Sequence, residues 1–152
     1  MKTRPALAAL LVAAATLVIT VGASSATDHT AGMRILSQQD MAFTPKSPDM
    51  PQIAVVHGNR EAGPSSMVMK KGKGAFPMHS HTANYQLVVI QGTMKHWDET
   101  GSRATAKPIG PGGFWYQPAN QLHADACESE ECTWFITFDG PHDFHPVATT
   151  SK

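Results

Sequence analysis

The sequence has no surplus of either charge. Its 12 Lys and Arg stand against 12 Asp and Glu, and formal net charge is zero. Outside Lys70, Lys71 and Lys73 the basic residues do not cluster, so no nucleic-acid surface is expected. That triplet reads as a solvated loop. No convincing helical period is present, which excludes a helix bundle. Long apolar runs are missing too, with one exception at the start. Lys2 and Arg4 precede an apolar stretch from Ala6 to Val21, followed by Gly22 and the small residues Ala23-Ser24-Ser25-Ala26. The run is short for a membrane span, and Ser24 and Ala26 fit a signal-peptidase site. Residues 1–26 are therefore expected to be a signal peptide cut after Ala26. Cleavage after Asp28, which would expose His29, fits that enzyme poorly. The mature chain would have formal charge −2, be secreted or periplasmic, and carry no membrane segment.

Cysteine is nearly absent. Cys127 and Cys132 flank Glu128-Ser129-Glu130-Glu131. Export favours oxidation, and a hairpin tip at 128–131 would set the two cysteines on paired strands. A disulfide is expected. Cys127 is not expected to share a metal with His123, because four strand residues span about 13 Å.

What remains is one domain's worth of short β-branched and aromatic runs with turns about every ten residues, the mark of an all-β sandwich or barrel. Runs are read at 53–57, 66–69, 85–91, 93–97, 103–109, 114–117, 122–127 and 132–138. Residues 27–52, with Pro45, Pro48 and Pro51, read as a tail and arm. Residues 53–140 read as the barrel, and 141–152 as a second tail.

Histidine carries the chemistry. His79 and His81 are two apart, so on a strand they share a face. His123 adds a third imidazole from another strand, after Gly112, Pro118 and Asn120. Imidazole is the commonest protein metal ligand at neutral pH. His57 and His96 read as strand-end and surface residues, and His142 and His145 as solvent-facing. Trp115 and Trp134 read as core. Trp97 reads as a half-exposed hairpin residue or a sugar platform.

These two segments resemble the motifs of the cupin superfamily. The first motif has Gly74, His79, His81 and Gly92, and the second has Gly112, Pro118, Asn120 and His123. Asn120 stands where the family has Gly, and Asn tolerates the left-handed backbone best after Gly. The resemblance covers residues 53–138. It implies a single-domain jelly-roll barrel with a metal in its mouth, and a homodimer.

The family's carboxylate ligand is absent. Counting from His81 puts Gln86 in its place, and counting from Gly92 puts Tyr85 there. Both are candidate catalytic residues, and Gln86 is the better fourth ligand. A site of one ion on His79, His81, His123 and Gln86 ranks Cu ahead of Zn and Fe. Exported cupins with this pattern are similar to small copper enzymes that cleave cellulose oxidatively with peroxide. That resemblance implies a polysaccharide-cleaving copper oxidoreductase. The alternatives are a three-His dioxygenase acting on a small molecule and a non-catalytic cupin that binds a sugar or small ligand. A glycosidase needs two carboxylates, and Asp125 is the lone acidic residue within a core run.

Overall fold

The computed structural model describes residues 32–48 and 50–147. The expected signal peptide and its cleavage point lie outside the described residues. The strands are β1 (Gln52–Gly58), β2 (Ser65–Ala75), β3 (His79–Ser80), β4 (Tyr85–Gln91), β5 (Met94–Asp98), β6 (Phe114–Gln117), β7 (His123–Phe138) and β8 (His145–Pro146). Among the described residues there is one short 3-10 turn, Gln38–Asp40, and no α-helix. All pairings between strands are antiparallel. The architecture is a single-domain jelly-roll barrel of the cupin type, as the resemblance implied.

Alternation builds it. In β4, Tyr85, Leu87 and Val89 point inward, while Gln86, Val88 and Ile90 face outward. Met67, Met69, Met94, Trp134, Ile136 and Phe138 meet them from β2, β5 and β7. Burying each such side chain is worth roughly 1.5–3 kcal/mol. Trp115 and Trp134 are in this core, as expected, and Trp97 is half-buried.

β7 organises the sheet. One edge runs along β2 for its full length. The other edge is shared, with residues 133–138 on β4 and residues 123–127 on β5. The break falls at one level across three strands. There β2 shifts register between Gly72 and Gly74. β4 passes to β5 through Gly92 and Thr93, and Glu128 N–H donates to Thr93 O at 2.9 Å. Gly92 has φ +82, and a Cβ on it would lie 2.6 Å from Glu131 O. Only glycine fits that crossing.

Cys127 and Cys132 are bonded, with Cα atoms 5.8 Å apart. The expected hairpin tip between them is not there. Both cysteines belong to β7, and both halves of β7 run antiparallel to β2. An extended strand would separate residues five apart by about 17 Å, so 128–131 leave the strand and return as a bulge pinned by the disulfide. Replacing both cysteines by Ala is expected to cost about 2 kcal/mol, the chain entropy of so small a loop. Urea unfolding in parallel with the wild type measures it.

Three other readings change. The Lys-Gly-Lys-Gly segment is not a loop, because the two halves of β7 pair with it and extend β2 to Ala75. Residues 103–109 form no strand. A turn at Ser102–Ala106 and Pro108 interrupt them, and only Ile109 makes an isolated bridge, to Met94. The barrel also does not stop at 140. β8 pairs with β3, His142 N–H donates to Arg60 O at 2.7 Å, and Val147 N–H donates to Met78 O at 2.9 Å. Residues 141–147 thus form a strap across the mouth.

Candidate metal centre

β3 has two residues, and they sit between the strap and β7. His79 is the register partner of His123. The sequence from His81 to Asn120 is drawn in by Asn120 N–H donating to His81 O at 2.8 Å, and Asn120 takes φ +61, the left-handed backbone its position requires. This assembly converges three imidazoles. One ligand atom from each of His79, His81 and His123 lies within 4.8 Å of the other two. Their relative exposures are 3%, 6% and 0%.

Each ring is oriented by its other nitrogen. His79 Nδ1 donates to Pro77 O at 2.7 Å and His123 Nδ1 to Gln121 O at 3.1 Å. His81 Nδ1 donates to Asp143 O on the strap. These bonds leave Nε2 of each ring as the inward lone pair, the arrangement that backbone carbonyls impose on metal-binding histidines. Burial is the largest influence on all three and lowers their pKa values, His79 from 6.5 to about 4. Three neutral, buried, preoriented imidazoles fit one transition-metal ion.

The metal-free protein should therefore lose stability in acid. These histidines protonate near 6.5 when unfolded and lower when folded, so the unfolded chain binds more protons between those values. Stability is full above pH 6.5 and falls as pH drops toward 4. For His79 alone the shift corresponds to about 3 kcal/mol. His142, also held at about 4 mainly by burial, adds to the same window. Urea midpoints of chelator-treated protein between pH 7.5 and 4 measure the decline.

Of the two residues proposed for the missing carboxylate, strand parity decides their places. Gln86 is exposed on the outer face of β4, across from Tyr116 and Thr137, so it cannot be a ligand. Tyr85 is buried at the site. Its hydroxyl lies 3.2 Å from His123 Nε2 and accepts from Trp115 Nε1 at 3.2 Å. Burial raises its pKa well above 10 and keeps it a neutral hydroxyl.

A carboxylate is nonetheless present. Asp125 is buried, lies close enough to act electrostatically on His79, His81 and His123, and faces the cavity. Its Oδ1 pairs with His96 Nδ1 at 2.6 Å. The Gln117 amide nitrogen faces the carbonyls of Pro118 and Gln121, so its Oε1 accepts from His96 Nε2 at 3.0 Å. His96 stacks on Trp115 with centroids 4.8 Å apart. It is thus half-buried beside the centre, not a surface residue. The spacing His123-x-Asp125 held the same two-residue signal as His79-x-His81. The partnership with His96 depends on the β5–β7 register, which spacing does not reveal.

The strap closes the other side. Phe144 stacks on His79 with centroids 4.3 Å apart, and His142 lies 6.0 Å from His81. Asp143 anchors it, accepting from Thr82 N–H at 2.9 Å, from the Thr82 hydroxyl, and from His145 at 3.0 Å. Burial opposes the charge of Asp143, but these bonds prevail and hold its pKa at about 2. His145 is exposed as expected, whereas His142 lines the cavity. That cavity has a volume of about 520 Å³ and is mostly apolar, with Met69, Leu87, Trp115 and Trp134 in its wall and His81, Tyr85 and Asp125 at the site.

The expectation of a copper centre that cuts cellulose is overturned by this enclosure. A polysaccharide must reach a metal at an open surface. Here the three histidines are buried, the strap covers His79 and His81, and His81 borders a cavity of small-molecule size.

Residues 41–152 match the family described as a domain of unknown function, DUF4437. The chain belongs to the DUF4437 family. A curated DNA damage-repair/toleration protein, DRT102, of Arabidopsis thaliana is 32% identical over 84 residues, which are 55% of this DUF4437 chain and only 26% of that protein. The polyketide cyclase RemF of Streptomyces resistomycificus superposes with TM-score 0.61 at 14% identity, covering 79% of this chain and 89% of its own. A protein described as an acetylacetone dioxygenase of Methylibium petroleiphilum gives 0.59 at 16% identity, covering 80% and 85%. KdgF of Halomonas sp. gives 0.58 at 14%, covering 72% and 96%. These likenesses establish the cupin fold of the DUF4437 chain.

Proposed function

We propose that this DUF4437 chain is a metal-dependent enzyme acting on a small organic molecule, by oxygenation or by elimination. The observation that carries the reading is the gathering of three neutral, preoriented imidazoles, with His81 opening on an apolar cavity of about 520 Å³. A bound ion on His79, His81 and His123 would supply a Lewis acid or an oxygen-binding centre. The chain's own residues supply the rest. Tyr85 holds a proton on its hydroxyl at the floor of the site. Asp125, steadied by His96, presents a carboxylate placed to accept a proton from a bound molecule. The apolar wall and Phe144 exclude water. Structures of similar fold described as a dioxygenase and as DMSP lyases fit this choice of small substrates. The apolar stretch 6–21 and the Cys127–Cys132 disulfide support export.

Metal identity and reaction type are tested together. Metal-free protein is reloaded with Fe(II), Mn(II), Cu(II) or Zn(II) and presented with small carbonyl and carboxylic compounds. Oxygen uptake with a redox-active metal identifies an oxygenase. Product formation without oxygen, also with Zn(II), identifies a lyase. Failure of the wild-type chain to retain any of the four metals overturns the proposal.

A further inference from the structure

The cavity that meets the metal centre at His81 is lined mostly by apolar residues and also carries two lysines. Along β2 the residues that line it run from Met69 to Lys71 and Lys73. Both lysines were set aside on sequence grounds as solvated. In the structure they border a cavity in which the one carboxylate among the described lining residues, Asp125, is already paired with His96. Lys71 Nζ is held at the mouth by Pro48 O at 3.0 Å and lies 5.1 Å over the Phe76 ring. Lys73 lies near Glu128, but Arg103 already binds both oxygens of that carboxylate, at 2.8 and 2.9 Å. Among the described residues neither lysine forms an ion pair.

Two ammonium groups at the edge of a low-dielectric cavity, with no carboxylate paired to them among the described residues, favour an anion there. The distance between the two ends follows from the register. Gly74, next to Lys73, pairs with Cys127, and four strand residues, about 13 Å, separate Cys127 from His123. We infer that the molecule bound in this cavity is an elongated organic anion, with an apolar body against Met69, Leu87, Trp115 and Trp134, its anionic group at Lys71 and Lys73, and its other end at the three histidines. This rests on the small-molecule reading of the site and adds the substrate's charge, shape and polarity.

The test uses metal-loaded protein and two probes of one shape, decanoate and decanamide. Binding is followed by calorimetry and by quenching of the Trp fluorescence. Decanoate should bind at least tenfold more tightly than decanamide. In the Lys71→Met/Lys73→Met variant the preference should vanish, with decanamide affinity unchanged within about threefold, which also shows that the cavity is intact. His79→Ala should lose the metal and keep the preference for decanoate. Equal binding of both probes to the wild type overturns the inference. So does a preference that survives the double lysine variant and disappears in His79→Ala, because the carboxylate would then sit on the metal. Loss of metal binding in the wild type with the lysine-dependent preference intact would refute the metalloenzyme reading and leave the anion site standing.

Discussion

Replacing His79 by Ala is expected to give a folded chain that no longer retains a metal ion. His79 is 3% exposed, and one of its ring nitrogens is held by Pro77 O, so the other is committed to the inward cluster. Outer residues that merely orient a ligand are worth 10–100-fold in metal affinity. Removing the ligand itself should exceed that, with a loss above about 100-fold. Two imidazoles and a neutral phenol do not replace it. Stability should fall by only about 1–3 kcal/mol, the usual cost of a buried truncation. Metal content after dialysis and thermal melting separate the two effects. Gln86→Ala provides the contrast, because its side chain lies on the outer face, and metal retention should be unchanged. Full retention by His79→Ala would place the ion elsewhere.

Deleting residues 141–152 should have the second largest effect. β3 is two residues long and is paired on one side by the strap. The strap supplies the carbonyl that orients His81, two anchoring bonds to Thr82, and the Phe144 ring against His79. Without it, His81 loses its second partner and the centre opens to water. Metal affinity, measured by competition with a chelator, should drop 10–100-fold. Asp143→Ala should lose less, since it removes the bonds to Thr82 and His145 but keeps the backbone carbonyl that holds His81. Equal affinity of the deleted and full chains would reduce the strap to a cover.

Much of this centre was legible because strands have a period of two. His79 and His81 shared a face by spacing alone, and the motif around Pro118 brought His123 to them. The same parity decided between Tyr85 and Gln86, once the first inward residue of β4 was known. Counting from a glycine gave the inward one and counting from His81 gave its outward neighbour, so a one-residue difference in origin changed the face. The choice of substrate failed for another reason. Motif residues specify how a metal is held, whereas access to it is set by residues 141–147, which carry Pro141 and Pro146 and no alternating pattern. The disulfide was expected for a sound reason, proximity, but through the wrong geometry. A bulge and a hairpin both bring Cys127 and Cys132 together, and only pairing to β2 distinguishes them.

The strap also fixes when the site can exist. His79 and His81 have the residues for their own loop and for β4 early, but the carbonyl that orients His81 belongs to a residue 62 positions later. During synthesis every shorter nascent chain carries the histidines without the clamp. Tight metal binding should therefore wait for Asp143, and a chain that stops before it should hold an ion about 10–100-fold more weakly.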